Sequence, residues 1–327
     1  MLKQISLLIL CAVAIVLFAT PVHACTSAVV SGKVTLDGRP LLWKNRDTDF
    51  MRNHVDYVKG ERYDFIAVVN SANAYLKEAW MGTNSAGFAL MNTQSYNLVD
   101  VKGDEERGAA NGRVIYRALE VCATVEDFCH FLDTISKPSD IEANFGVIDA
   151  QGGAAMFEVD YYKYVMYDAN NPKDAPYGYI ARTNFSFAGK VNEGAGYVRY
   201  MEADQVLMKA SATGNITPQF IFNDLSRSFR NRMLDIDLRS GGYNRPQASG
   251  WFIDQDFIPR SSTSCSVVVQ GVKPGVKAEL TTMWTLLGYP PTGIAVPLWV
   301  KDAGKLLPGM VRFNREHEAA LLSDWSL

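Results

Sequence analysis

Cys25 is the residue whose type and position are best suited to nucleophilic chemistry. It follows "PVHA", where Val22 and Ala24 occupy the −3 and −1 positions of a signal-peptidase site, so that cleavage after Ala24 makes cysteine the first residue of the mature chain. A terminal cysteine carries its own α-amine, whose pKa of about 8 lets it accept the thiol proton and later return it to a leaving amine. Nucleophile and base would then belong to one residue.

A charged cluster follows Cys25 at the end of the next predicted strand. The sequence "WKNRD" places Lys44, Asn45, Arg46 and Asp47 in succession, and a hairpin through the Asp-Gly turn of "LDGR" returns them beside Cys25. Because side chains alternate along a strand, Lys44 and Arg46 share one face, and Asn45 and Asp47 share the other. The sequence alone does not say which face meets the cysteine.

Histidines and the remaining cysteines offer little other chemistry. After cleavage the chain keeps His54, His130 and His317, and their spacing does not match a metal site. Cys122 and Cys129 are seven residues apart on a predicted helix, too far for a strain-free disulfide. We therefore expect no metal ion, no cofactor and no disulfide framework, and any cysteine chemistry needs a base other than imidazole.

The first 24 residues predict a secretory signal peptide. Lys3 is the basic n-region, the apolar run 5–18 is the h-region, and Pro21 ends that run. The run is shorter than the roughly 20 residues that cross a bilayer. We expect export to a periplasmic or extracellular location. "VHAC" also fits a lipobox, so a lipoprotein binding module with an acylated Cys25, held at a membrane, is an alternative of a different class.

The composition of the mature chain excludes several other classes. Residues 25–327 are enough for one large domain, and the 48% hydrophobic content supplies a core. The chain has 32 basic and 35 acidic residues, and loss of Lys3 gives a net charge near −4 with no long block of one sign. We therefore expect no nucleic-acid partner and no polybasic membrane surface. The sequence leaves open whether the chain forms a homo-oligomer.

The periodicity of apolar residues predicts an α+β fold. Strand patterns at 64–71, 77–83 and 87–93 make the first third a β-meander, and two helices follow within 112–135, the second capped by Thr124. Further strands are predicted within 144–160 and at 162–168, 177–183, 264–271, 278–288 and 293–300. Further helices are predicted at 197–212, 217–229 and 315–325. Blocks of strands separated by paired helices favour two stacked antiparallel sheets covered by helices.

The start of the chain resembles the N-terminal nucleophile hydrolases that act on linear amides: choloylglycine hydrolases, penicillin V acylases, acid ceramidases and isopenicillin N acyltransferases. "CTS" at 25–27 matches their processed cysteine, and "KNRD" at 44–47 matches their Arg-Asn-x-Asp motif at Asn45 and Asp47, with Lys44 in place of arginine. Three later stretches agree in order: "GTNSAGFALMNT" points to Asn92, "ARTNFS" to Asn184 and "GAGYVRYMEA" to Arg199.

The resemblance implies a four-layer αββα sandwich and a role for each matched residue. Cys25 would attack the carbonyl of a small-molecule amide, Asp47 would orient the α-amine, and Asn92 and Asn184 would hold the oxyanion. Arg199 would stabilise this arrangement. Lys44 would take the place of the family arginine, or Arg46 would substitute for it, because lysine does not make arginine's planar bidentate contact.

Cysteine dipeptidases share a similar motif and are the alternative with the same mechanism. Their substrates are free dipeptides, whereas acylases take an apolar acyl group. The aromatic residues Trp43, Tyr57, Phe65, Trp80 and Tyr96 favour an apolar or aromatic acyl pocket. The sequence does not choose among penicillins, conjugated bile acids, N-acyl amino acids and N-acyl amines.

Overall fold

The computed structural model describes residues 24–99, 108–240 and 254–327. The predicted signal peptide, apart from Ala24, lies outside these residues. In the described part of the chain, no helix is long and apolar enough to cross a membrane.

Two antiparallel sheets form the centre of the structure. One has six strands in the order β10-β1-β2-β13-β14-β15, and the other has seven, β3 to β9, in chain order. Strands β11 and β12 pair separately as a small ribbon. The strands are β1 Cys25–Val30, β2 Leu41–Asp47, β3 Asn53–Val58, β4 Phe65–Asn70, β5 Met81–Asn84, β6 Ala89–Gln94, β7 Ala143–Ile148, β8 Ala154–Val159, β9 Tyr164–Asp168, β10 Tyr179–Arg182, β11 Arg230–Asn231, β12 Ile236–Asp237, β13 Thr263–Gln270, β14 Thr282–Leu287 and β15 Val296–Leu298.

Helices cover the outer face of each sheet. The described helices are α1 Asn111–Val121, α2 Val125–Thr134, α3 Tyr197–Ser211, α4 Pro218–Phe220, which continues as a π-helical turn Ile221–Leu225, α5 Ala303–Leu306 and α6 Leu321–Ser326. Helices α1 and α2 pack on the seven-stranded sheet, and α3 with the π-helical turn packs on the six-stranded sheet. The predicted αββα sandwich is confirmed.

Burial on both faces explains why the strands read as continuous apolar runs. In β4, Phe65 and Ala67 face α1 and α2, whereas Ile66 and Val68 face the core between the sheets. Each sheet lies between another sheet and a helical layer, so neither face of a central strand contacts water.

The same alternation settles which face of β2 each charged residue occupies. Leu42 lies in the core between the sheets, and Trp43 lies under the outer helices. Because the side-chain period of a strand is two residues, Lys44 and Arg46 continue the inner face of Leu42. Asn45 continues the outer face of Trp43.

Three predictions about elements need correction. The first third of the chain is divided between the sheets: β1 and β2 belong to the six-stranded sheet, and the meander comprises β3 to β6. The sequence pattern does not predict strand β3, "NHVDYV", because only Val55 and Tyr57 alternate with polar residues there, which is too short a pattern to indicate a strand. The helix expected over 315–325 begins only at Leu321, since Glu318 has a φ of 51° and an isolated bridge joins Asn314 to Ala319.

Candidate active site

Cys25 lies at the start of β1, directly opposite Arg46 of β2. Strand β2 also pairs with β13, so the cysteine and the charged cluster occupy adjacent strands at the middle of the six-stranded sheet. Cys25 is 7% exposed and lines a cleft of about 360 Å³, and its Sγ lies 3.9 Å from the carbonyl oxygen of Asp47. The hairpin therefore brings the two together as the sequence predicts.

The backbone nitrogen of Cys25 has a side-chain partner. It donates to Asn184 Oδ1 at 2.9 Å, and Arg199 Nη2 donates to the same oxygen at 2.9 Å. Because a guanidinium only donates, the atom that faces it must be the amide oxygen. Asn184 Nδ2 donates to the carbonyl oxygen of Gln94 at 2.8 Å. Asn184 thus holds the nitrogen of residue 25, while its role at the oxyanion stays a prediction.

Arg199 contacts the backbone of Cys25 from the outer face of the sheet. Its Nη1 donates to the carbonyl oxygen of Cys25 at 2.6 Å and to Thr26 Oγ1 at 2.9 Å. Burial lowers the pKa of Arg199 to about 10, against the opposing attraction of Asp47. The arginine therefore contacts both Cys25 and Asn184, while the stabilising role that the resemblance implies stays a prediction.

Asp47 is buried and bound by two residues that the sequence reasoning missed. Arg260 Nε donates to Oδ2 at 3.1 Å, and Thr263 Oγ1 donates to Oδ1 at 2.6 Å. Burial raises the pKa of Asp47, and Arg260 and Arg199 oppose that rise. Arg260 lies outside regular structure just before β13. Its contact with Asp47 depends on the pairing of β13 with β2, which places Thr263 opposite Asp47. Orientation of the α-amine by Asp47 stays a prediction.

Lys44 crosses between the sheets to orient Asn92. Its Nζ donates to Asn92 Oδ1 at 3.0 Å and to the carbonyl oxygen of Trp80 at 3.2 Å. Lys44 thus faces the amide oxygen of Asn92, and the Nδ2 group of Asn92 has no acceptor among the described residues. This is the donor that an oxyanion would need. Desolvation by burial lowers the pKa of Lys44, and the nearby Cys25 opposes the shift.

Arg46 and Asn45 have different surroundings. Arg46 lines the cleft, donates to Asn53 Oδ1 at 2.5 Å and Asn70 Oδ1 at 2.8 Å, and lies 4.7 Å from the ring centre of Trp80. Asn45 exchanges hydrogen bonds with Ser226 of the outer helical layer. Asn45 therefore ties β2 to that layer and does not face the cleft.

Cys25 is the one cysteine among the described residues that line the cleft. No histidine is among the described residues that line it, and His54, although buried, pairs with Ser71. Within 24–99, 108–240 and 254–327 there is no group of three or more His, Cys, Asp or Glu side chains that could hold a metal ion. All four described cysteines are free.

A comparison with models of protein families assigns the chain to a family. Residues 35–220 match the family described as acyl-coenzyme A:6-aminopenicillanic acid acyl-transferase. The chain belongs to this family. It is thereby a member of the N-terminal nucleophile hydrolase superfamily, as the motifs around Asp47, Asn92, Asn184 and Arg199 predict. The matched range leaves out Cys25. No curated protein matches the chain by sequence.

Three solved structures are similar to this member of the acyl-transferase family. The Caenorhabditis elegans N-acylethanolamine-hydrolyzing acid amidase ortholog is 14% identical, with 80% of this chain and 99% of that chain covered and a TM-score of 0.47. A mutant of the Clostridium perfringens conjugated bile acid hydrolase is 13% identical, with 84% of this chain and 92% of that chain covered and a TM-score of 0.47. Penicillin V acylase from Agrobacterium tumefaciens is 16% identical, with 84% of this chain and 86% of that chain covered and a TM-score of 0.43.

Proposed function

We propose that the mature chain is an exported amidohydrolase that cleaves a linear amide bond of an N-acyl substrate, with Cys25 as its N-terminal nucleophile. The observation that carries the proposal is the hydrogen bond of 2.9 Å between the Cys25 nitrogen and Asn184, beside a cleft that Cys25 lines. In the processed chain the same contact would hold the α-amine beside the Cys25 thiol, and an amine that acts as a base must be fixed within reach of the proton it accepts.

In the first half of the reaction the α-amine takes the proton of the Cys25 thiol, and the thiolate attacks the amide carbonyl carbon. The carbonyl oxygen becomes an oxyanion that accepts a hydrogen bond from Asn92 Nδ2, which Lys44 has oriented. The α-ammonium then donates its proton to the amide nitrogen. The C–N bond breaks, the amine leaves, and a thioester to Cys25 remains.

In the second half water replaces the amine. The α-amine accepts a proton from the water, whose oxygen attacks the thioester carbonyl and forms a second oxyanion at the same donor. Collapse breaks the C–S bond, and the proton returns to sulfur. The products are a carboxylic acid and free Cys25. In this scheme Arg199 acts through its hold on the Cys25 carbonyl and on Asn184.

The rim of the cleft favours an acyl substrate over a dipeptide. Phe50 and Leu76 line it and are 44% and 43% exposed, and Trp80 adds an indole ring. Two other aromatic residues that were expected to favour such a pocket, Trp43 and Phe65, do not line this cleft and pack beneath the outer helices. Exposed apolar side chains at a cleft gain most by covering an apolar acyl chain.

Assay of the mature protein against a panel of amides tests the proposal. The panel contains penicillin V, a glycine-conjugated bile acid, N-octanoyl amino acids and an N-octanoyl amine, scored by release of free amine. We expect at least one amide to be cleaved with kcat/KM of about 10⁴ M⁻¹ s⁻¹ or more. The intact mass of the protein isolated from cells provides the control. A lipid adduct on Cys25, or an unmodified N-terminal cysteine with no amide cleaved, would contradict the proposal.

Replacement of Gly196 tests the positioning role of Arg199. Gly196 has a φ of 86°, and a Cβ there would meet Arg199 Nη2. We expect Gly196→Ala to displace the guanidinium and lower kcat roughly tenfold or more, with a loss of about 1–3 kcal/mol in the free energy of unfolding. Kinetics and urea denaturation measure the two effects.

Gly214 provides the matched control, because its φ of 63° is similar but nothing lies within 4 Å of a Cβ built there. Gly214→Ala should cost about 1 kcal/mol of stability through backbone strain alone and leave kcat unchanged. Equal kcat losses in the two variants would remove the positioning role from Arg199.

A further inference from the structure

Two buried cations on the inner face of β2 have no described carboxylate within ion-pairing distance. Lys44 is 2% exposed and Arg46 is 3% exposed, and both line the cleft beside Cys25. The acidic residues that line the same cleft are engaged elsewhere: Asp47 pairs with Arg260 at 3.1 Å, and Glu78 pairs with Arg113 at 3.5 Å. The floor of the cleft therefore carries positive charge that the described residues do not neutralise.

Of these two cations, Arg46 has unused donors. Lys44 is committed to Asn92 and to the Trp80 carbonyl oxygen. A guanidinium has five N–H groups, and Arg46 uses two of them, toward the neutral amide oxygens of Asn53 and Asn70. The other three have no acceptor among the described residues. Burial lowers the pKa of Arg46, which reflects the cost of holding this charge away from water.

Trp80 contributes a second orphaned donor at the same place. Its ring lies 4.7 Å from the Arg46 guanidinium, and its Nε1 is buried without a hydrogen-bond partner in the described part of the chain. Buried polar groups without partners are rare in proteins and need an explanation. A bound carboxylate would neutralise the charge of Arg46, and its two oxygens, with about four lone-pair sites, would accept hydrogen bonds from the N–H groups of Arg46 and Trp80.

We propose that Arg46, assisted by Trp80 Nε1, binds an anionic group of the substrate, a carboxylate close to the scissile amide. The inference rests on the proposed amidohydrolase function and names its substrate class: N-acyl amino acids and related amides whose amine half carries a carboxylate, in preference to neutral N-acyl amines. Closeness to the amide follows from the register, since Cys25 and Arg46 face each other across β1 and β2. Opposed residues of an antiparallel pair have Cα atoms about 5 Å apart.

Three octanoyl-length substrates separate charge from chain length. N-octanoylglycine carries the carboxylate on the amine half, N-octanoylglycinamide is its neutral isostere, and the monoethylamide of octanedioic acid carries the carboxylate on the acyl half. We expect the mature enzyme to prefer N-octanoylglycine over the glycinamide by roughly 10- to 100-fold in kcat/KM, the usual worth of a hydrogen-bonded charge. A preference for the octanedioic amide would place the anion on the acyl half and contradict the substrate class.

Variants then assign the preference to a residue. Arg46→Met should bring the glycine to glycinamide ratio to within about threefold of one, Arg46→Lys should keep part of the preference, and Trp80→Phe should lower it several-fold while keeping the ring. In Arg113→Met, which removes the arginine already paired with Glu78, the ratio should persist. A ratio that survives in Arg46→Met, or that disappears only in Arg113→Met, overturns the proposal.

The wild-type enzyme alone keeps the test decisive if Arg46→Met does not fold. Equal rates for N-octanoylglycine and N-octanoylglycinamide would refute the role of Arg46 while leaving the amidohydrolase function intact. Cleavage of none of the amides, those of the wider panel included, would instead refute the function itself.

Discussion

Cys25→Ala should lower kcat/KM for amide hydrolysis by on the order of 10⁴-fold or more, because removal of a covalent nucleophile leaves only binding and oxyanion stabilisation. The fold should persist. Among the described residues the Cys25 thiol makes one weak hydrogen bond, of 3.9 Å to the carbonyl oxygen of Asp47, and loss of this small side chain should cost roughly 1 kcal/mol. Cys25→Ser should also lose most activity. Release of free amine and thermal unfolding measure the two properties.

Cys122→Ala is the matched control for this variant. Cys122 is also buried, but it packs beneath α1 and α2, and burial raises the pKa of its thiol to about 12. Its replacement should leave kcat unchanged and make the protein only slightly less stable. Full turnover in either Cys25 variant would show that another group attacks the amide.

Retention of residues before Cys25 should abolish activity without unfolding the protein. With even one preceding residue the nitrogen of Cys25 is an amide, which does not accept a proton, so the loss of the base alone should cost roughly 10²- to 10⁴-fold in kcat. The described structure contains Ala24 joined to Cys25, and β1 pairs with β2 from Cys25 to Val30 with that peptide bond in place. We therefore expect a chain that keeps Ala24 to form the same strand pairing.

A protease site placed directly before Cys25 turns this expectation into one experiment on one sample. The uncut form should be inactive, and cutting should restore turnover in step with the appearance of an N-terminal cysteine. That terminus can be counted independently, because a free amine and thiol on one residue condense with an aldehyde to a thiazolidine. An extended form that is already fully active would exclude the α-amine as the base.

The alternation of β2 is a case in which local sequence predicted which residues share a face of a strand. "LLWKNRD" requires Lys44 and Arg46 to share one face and Asn45 to take the other, because the strand period is fixed by backbone geometry. Which face meets Cys25 followed only once Leu42 was found between the sheets and Trp43 beneath the helices.

The contact of Arg260 with Asp47 is of a kind that local sequence patterns do not predict. Arg260 precedes β13 and reaches Asp47 across 213 residues of sequence, and no spacing rule links a residue in an irregular segment to a strand so far away. Asn92 was found through its motif. Its pairing with Lys44 required the stacking of two sheets, because the two residues belong to different sheets.

By itself the sequence determined the kinds of groups present and their local order: a cysteine at a predicted signal-peptide cut, a charged strand end, and the strands and helices of an α+β fold. Tertiary structure decided which groups meet: Asn184 with the Cys25 nitrogen, Arg260 with Asp47, and Arg46 with no described carboxylate. The physical reason is that backbone geometry encodes the face of each residue over a few positions. The partner across a sheet or a cleft depends on how distant segments pack into one core.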